Sequence, residues 1–424
     1  MKKVFMYALT VLALLGVVAC AQPVSGELIK SDKERVSNPD VSQTNLTTLV
    51  AGNSEFAFNL YRAIRNTDGN LFCSPHSISL ALVMTYAGAR GDTEQQMDDT
   101  LRFTLPSRQL HPAFNWLDIE LASRGEGAEG KDEGGFRLNI VNAIWGQKDY
   151  EFLSEFLDIL AENYGAGLRP LDFIKAPEES RITINNWVSE QTEGRIEDLI
   201  PQGLIDTWTR LVLTNAIYFN AAWQYPFEES MTKDGPFYLL DGSKVIVPMI
   251  KQTEHFGYTE GEGYQAVELP YDGRELSMVI LLPRKENFEQ FEGSLDYQLV
   301  DSLIKALEYQ RVSLTMPKFE FESEFRLSNT LAAMGMPVAF SAEADFSGMT
   351  GNRELFIQEV IHKAFVSVDE AGTAAAAATS VIMPASMPPG EVVEVTVDRP
   401  FIFLIRDIET GTILFVGRVM NPSA

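Results

Sequence analysis

The order of apolar patterns along the chain predicts an α+β fold built on a large β-sheet. Helical spacing dominates the first half of the 424 residues and strand-like runs dominate the second. That order argues against alternating βαβ units. A composition of 45% hydrophobic and 22% charged residues gives ample material for a core. The length allows two or three domains, although large single domains also reach this size.

The first element is a leader. MKKVFMYALTVLALLGVVAC has two lysines and then an apolar run from Val4 to Ala19, too short for a comfortable membrane span. Its last four residues, Val17-Val18-Ala19-Cys20, resemble a bacterial lipobox, which implies cleavage before Cys20 and lipid attachment to it. A plain secretory signal that happens to end in cysteine is the alternative. Residues 1–20 are therefore expected to be a lipoprotein signal peptide, and an exported protein held at the cell surface or envelope follows. Residues 21–49 are polar and mixed, with no apolar period, and read as a flexible tether. Cys73 is the one other cysteine, so the exported part has no internal disulfide if Cys20 is acylated. Its apolar setting suits a small buried side chain better than a nucleophile.

Folded structure is expected over 50–424. NSEFAFNLYRAIRN carries apolar residues at helical spacing. SPHSISLALVMTYAGA starts with Ser74 as a cap and Pro75 at the first helical position, then turns almost wholly apolar, as in a helix buried on most faces. ITINNWVSEQT reads as another helix. RLVLTNAIYFNAAW is a β-rich run expected of a central strand covered on both faces. Two apolar runs around Asp272-Gly273 and two more around Thr410-Gly411 read as hairpins, and RVSLTMPKFEFE adds a further strand.

Chemistry-bearing motifs are few. Acidic residues outnumber basic ones, 59 to 34, for a formal charge of −25, which disfavours nucleic acid as a partner. No nucleophile elbow, zinc-protease helix motif, phosphate loop or CxxC pair occurs. The four histidines show no metal-ligand spacing, and His76 and His362 sit in apolar surroundings suited to core histidines. Neither a cofactor nor a metal is expected.

EAGTAAAAATSV, Glu370–Val381, is the unusual stretch. It lies between a strand-like run and the proline-studded MPASMPPGE. As a strand its side chains would alternate between Thr373, Ala375, Ala377, Thr379 on one face and Ala374, Ala376, Ala378, Ser380 on the other. All eight are small, so this segment can enter a sheet in either parity without burying bulk or charge. Gly372 supplies a pivot. Taken alone, composition favours a low-complexity alanine linker.

The neighbouring segments resolve that choice. VDEAGTAAAAATS, NLFCSPHSISLALVMTYAGARGDTEQQM, INNWVSEQTEGRIEDLI, LVLTNAIYFNAAWQYPF, AVELPYDGRELSMVILLP and DRPFIFLIRDIETGTILFVGRVMNP together resemble the serpin family, in the family's order. The resemblance runs from about Gly52 to the end. It implies a large central, mostly antiparallel sheet with additional sheets, helices and an exposed reactive loop over about 370–390. It implies a monomeric, non-catalytic inhibitor that a serine protease attacks as a suicide substrate, forming an acyl-enzyme before the cut loop inserts into the sheet. The family's spacing puts the scissile bond between Ser386 and Met387, with Ala385-Ser386 and Met387-Pro388 as neighbours. Small residues there imply an elastase-like or subtilisin-like target, or a papain-like cysteine protease. The hinge is then Glu370, Gly372, Thr373 and Ala374, Ala375, Ala376, Ala377 and Ala378. Lys318 should pair with Glu370 beside Trp223 where the loop first enters, although an ordinary surface ion pair is the alternative. Ser74, Ser77, Asn185 and His362 should form a hydrogen-bonded cluster beneath the point where the central strands part.

Overall fold

The run LVLTNAIYFNAA forms the strand around which the rest is arranged, and all twelve of its residues are buried. The computed structural model describes residues 28–128, 136–373 and 392–424. In chain order its strands are β1 (Leu71–Cys73), β2 (Arg137–Gln147), β3 (Leu168–Leu171), β4 (Leu211–Ala222), β5 (Lys233–Tyr238), β6 (Lys244–Gly261), β7 (Tyr264–Pro270), β8 (Leu276–Pro283), β9 (Glu308–Pro317), β10 (Phe319–Arg326), β11 (Glu359–Val368), β12 (Gly372–Thr373), β13 (Val393–Thr396), β14 (Phe401–Asp407) and β15 (Ile413–Val419). The helices used below are α1 (Gln43–Ile64), α2 (Pro75–Tyr86), α3 (Gly91–Leu101), α4 (Ser107–Ala122), α5 (Ser154–Tyr164) and α6 (Pro177–Gln191).

Two sheets carry the fold. A six-stranded sheet runs β10-β11-β12-β4-β2-β3, and a nine-stranded sheet runs β1-β15-β14-β8-β7-β6-β9-β13, with β5 paired to β6. The expected hairpins are present as the antiparallel pairs β7–β8 and β14–β15. The six-stranded sheet is mixed. Its β2–β3 and β4–β11 pairs are parallel, and the others are antiparallel.

Period-two alternation gives this sheet two apolar faces. Val212 and Ala216 pack with Ile184 and Val188 of α6 on one side. Leu211, Leu213 and Ile217 join the main core on the other, where α2 packs against β4. Ser74 caps α2 as expected, accepting the Ser77 N–H at 3.2 Å, and Pro75 takes the first helical position. The lower end of the sheet is defined here as the end where β4 begins at Leu211, and the upper end as the end where it finishes at Ala222. At the outer margin, β10 exposes Glu320, Glu322 and Glu324 in alternation.

The tether expected over 21–49 is corrected from residue 28 onward, while residues 21–27 lie outside the described residues. Ile29 forms a two-bond antiparallel bridge with Leu168 at the open edge of β3, at 2.8 and 2.9 Å. Gly167 permits the approach, because a Cβ there would lie 2.4 Å from the Ile29 carbonyl oxygen. Arg35 donates to Asn115 at 2.8 Å and to Asp118 at 2.6 Å, both on α4, and the Val36 N–H reaches Glu162 of α5 at 2.9 Å. Residues 43–49 belong to α1, which Ser42 caps by accepting the Asn45 N–H. The segment is held by backbone and polar side-chain bonds, which leave no apolar period to read.

Because these contacts hold it down, residues 28–42 should resist proteolysis in the native protein. Combining Ile29→Pro, which removes a bridge donor, with Arg35→Ala should make the segment cleavable. Arg35→Ala alone should lower stability by about 1 kcal/mol in urea unfolding, since the lost bonds are charge-assisted but half-exposed.

Candidate functional site

The central feature is the relation of β4 to β11. They pair in parallel from Glu359↔Val212 to Ala364↔Ile217, through the lower half of the sheet. Above that the ladder between them stops. At the upper end β12 occupies the gap, with Thr373 opposite Ala221 on one side and Val368 on the other, antiparallel to both. The first two residues of the small-residue segment are therefore already strand.

The local sequence explains why the chain turns there. The Asp369 N–H donates to the Gly372 carbonyl at 3.1 Å, and the Ala371 N–H donates to the Asp369 carboxylate at 2.9 Å. These bonds close a tight reversal after β11. At Gly372 a Cβ would sit 2.1 Å from the Ala221 carbonyl oxygen, so only glycine allows this contact with β4. Thr373 is buried, and its hydroxyl shares a 2.8 Å hydrogen bond with that of the fully buried Tyr271.

Lys318 and Glu370 meet at the same end. Lys318 Nζ donates to Glu370 at 2.7 Å, and the Thr232 hydroxyl donates to its other carboxylate oxygen at 2.7 Å. Burial pushes the Glu370 carboxyl up, but the bonds from Lys318 and Thr232 outweigh it and hold the group below its usual range. Trp223 lies against this corner. Its indole N–H donates to the Asp369 carbonyl at 3.0 Å, its backbone N–H donates to Ala371 at 2.9 Å, and its ring stacks on Tyr271 at 4.7 Å. Glu370 is thus a buried, doubly bonded carboxylate rather than one half of a solvated pair.

A second cluster lies where β2, β4 and β11 are still joined. Asn142 and His362 are the register partners of Asn215 on its two sides. His362 Nε2 accepts the Ser74 N–H at 3.0 Å. Nδ1 therefore carries the proton and donates to Asn215 Oδ1. The Asn215 amide donates to Ser77 Oγ at 2.5 Å and to Asn142 Oδ1. Ser74 Oγ donates to the Leu414 carbonyl at 2.7 Å, tying the cluster to the second sheet. Ser74, Ser77, Asn215 and His362 are all fully buried, where each lost bond is costly.

Asn185 does not belong to this cluster, contrary to the sequence expectation. It sits on α6, where it bonds the backbone of Ile200 in both directions, at 2.8 and 3.0 Å. Asn215 takes the expected place. Asn215, Asn142, Tyr271 and Thr232 were missed. The available signal was an amide in an otherwise apolar strand, since a buried amide must find partners. Ala374–Ala378, Ser386, Met387 and Cys20 lie outside the described residues.

Comparison with known proteins agrees with this geometry. The family model described as serpin (serine protease inhibitor) matches residues 51–422. The chain is 43% identical over 371 residues to an uncharacterized serpin-like protein of Thermococcus kodakarensis, covering 87% of this chain and 84% of that one. It is 40% identical over 386 residues to leukocyte elastase inhibitor of Bos taurus, covering 88% and 99%. Among solved structures, the thermophilic serpin tengpin in its native state superposes with a TM-score of 0.82 at 30% identity, covering 94% of this chain and all of that one. The chain belongs to the serpin (serine protease inhibitor) family, and serpins such as leukocyte elastase inhibitor are protease inhibitors, not catalytic enzymes.

Two outcomes follow from the buried cluster. Asn215→Ala leaves the His362 N–H without its acceptor and should cost about 2 kcal/mol in urea unfolding at pH 7. Burial also pushes the imidazole of His362 down to about 3 and those of His76 and His111 down to about 4. An unfolded histidine titrates near 6.5, so below that pH the unfolded chain binds more protons. Stability contributed by these groups should be complete above about pH 7 and fall as the pH drops towards 4. Each histidine should contribute about 1.4 kcal/mol per pH unit. His362→Gln should flatten that slope by one histidine's share.

Proposed function

We propose that this protein is an irreversible, suicide-substrate inhibitor of an elastase-like or subtilisin-like serine protease. The observation that carries the reading is β12, a strand of two residues seated where β4 and β11 part and continued by a segment of small side chains. A target protease would attack the carbonyl of Ser386, expel the amine of Met387 and form an acyl-enzyme. The freed loop would then extend β12 downward, antiparallel to both neighbours, and carry the esterified protease with it. About ten added ladder bonds at roughly 1 kcal/mol net each give a driving force on the order of 10 kcal/mol, less the cost of ordering the loop. Insertion must outrun hydrolysis of the ester.

Lys318, Glu370, Trp223 and Tyr271 would set how readily the upper end opens. The Asn215–His362 contact would set how readily the lower half follows. Small residues around Ser386 support an elastase-like or subtilisin-like target, as do relatives named leukocyte elastase inhibitor, while a papain-like cysteine protease is a second class to assay. The Val17-Val18-Ala19-Cys20 sequence supports export and lipid anchoring through Cys20.

Incubation with pancreatic-type elastase and with subtilisin should give a complex that survives boiling in detergent, with cleavage after Ser386 by mass spectrometry. Thr373→Arg would place a charge where the hydroxyl meets Tyr271, and should turn the protein into a cleaved substrate with at least tenfold less complex. Lys318→Ala should change the rate of insertion. Loop cleavage that never yields a complex with any protease class, and never raises the melting temperature, would overturn the reading.

A further inference from the structure

Continuing β12 in register fixes where the bait carbonyl would arrive. Thr373 faces Ala221 and Gly372 faces Ala222, antiparallel. Each further residue of the loop would therefore meet one residue back along β4. Ten residues on from Thr373 is Met383, and ten back from Ala221 is Leu211, where β4 begins. The next residue, Pro384, has no N–H to give to a ladder, so the new strand and β4 would end together. Thirteen residues on from Thr373 is Ser386, and thirteen back from Ala221 is Trp208. Pro384, Ala385 and Ser386 span at most about 10 Å when extended. A protease esterified to Ser386 would be tethered too closely to clear the lower end of the sheet.

Trp208 is what it would meet there. The side chain is 74% exposed, more than any other large apolar side chain among the described residues. The turn that carries it is closed by its own bonds. Asp206 Oδ1 accepts the Trp208 N–H at 2.8 Å and the Thr209 hydroxyl at 3.2 Å, and Thr209 Oγ1 accepts the Asp206 N–H at 3.0 Å. Thr209 is fully buried, so the indole is presented on an anchored backbone. Ile174, 42% exposed, is tied to the same end. The Gln147 side-chain oxygen accepts the Ile174 N–H at 3.2 Å, and the Gln147 N–H donates to Arg210 at 2.8 Å. In strand order Ile174 follows β3, three strand spacings or roughly 14 Å from the new strand. A protein contact of ordinary size, about 800 Å² on each partner, covers both residues. Single exposed apolar residues need no explanation. A bare tryptophan level with the arriving ester is a different matter, because such a ring carries a large contact area.

We infer that Trp208, with Ile174 beside it, is the seat on which the trapped protease rests, and that this contact prolongs the life of the ester. This rests on the suicide-substrate reading above and names the surface that serves it. The ester is lost when water attacks the Ser386 carbonyl and the protease serine leaves with a proton. That step needs the base and the oxyanion donors of the protease aligned on the carbonyl. An anchored ring beside the carbonyl, with only three residues of tether, holds the protease body away from that alignment. Trp208 is thus a positioning residue that acts through the enzyme it displaces.

The test compares the full chain with Trp208→Ala, Trp208→Phe and the double variant Trp208→Ala/Ile174→Ala, using pancreatic-type elastase and subtilisin. Purified complex should release active protease at least tenfold faster in Trp208→Ala and faster again in the double variant, while Trp208→Phe stays near the parent rate. The association rate and the molar ratio needed for full inhibition should not change. Hydroxyl-radical oxidation of Trp208, read by mass spectrometry, should fall in the complex but not in loop-cleaved protein freed of protease. A merely structural role for the ring would not give that difference.

Equal release rates in all four proteins overturn the inference, as does a Trp208 that is oxidised as readily in the complex as in the free protein. A raised molar ratio in Trp208→Ala also overturns it, since the residue would then act during insertion and not in the trapped state. The two readings fail differently. An unaltered chain that forms no complex with any protease class overturns the suicide-substrate reading and this inference with it. A complex that forms and is indifferent to Trp208 overturns this inference alone.

Discussion

Two neighbouring strands that are joined at one end and separated at the other constrain everything else in this structure. β4 and β11 share a ladder only as far as Ala364↔Ile217. The space above is entered by Gly372 and Thr373, which take up antiparallel bonding on both sides. A parallel pair is slightly weaker per residue than an antiparallel one. Continuing β12 downward would replace one parallel interface with two antiparallel ones. The direction of improvement is therefore built into strand polarity before any side chain is considered.

The side chains around that seam are placed to hold it in its present form. Above, Trp223, Tyr271 and Glu370 fasten the reversal after β11. Below, one imidazole and two carboxamides span three strands, while the two serines connect them to α2 and β15. Across the front face, α6 and the segment after it add further ties. Arg169 lies over the rings of Trp187 and Trp145, at 4.7 and 5.7 Å, and Lys363 of β11 donates to the Glu197 carbonyl at 3.4 Å. Any widening of the seam must disturb this front layer as well, so the restraint is shared between helix and sheet.

Much of this was legible in the sequence where a local rule applies. Ser74 followed by Pro75 announces a capped helix, and an all-apolar run announces the central strand. The sequence presents Gly372 as a pivot, whereas the structure needs glycine there because the backbone passes close to the Ala221 carbonyl. Lys318 and Glu370 were paired only through the family resemblance, because 52 residues separate them and neither has a local partner. Asn185 and Asn215 show where reading failed. Both are asparagines in apolar company, and only strand register puts Asn142, Asn215 and His362 in one row. Residues 28–42 failed for a different reason. Backbone bridges and Arg35 hold them, and such bonds have no periodic signature.

The two outer margins of the six-stranded sheet are closed by different means. At β3 the chain's own Ile29 bonds the exposed edge, and at β10 glutamates alternate along the rim. Open strand edges invite pairing with foreign chains, and covering segments and charge are the usual protections. Here both rims are defended while the interior is left receptive. The sheet therefore inverts the usual pattern of β-structure growth: it is closed to recruitment from outside and extensible only from within.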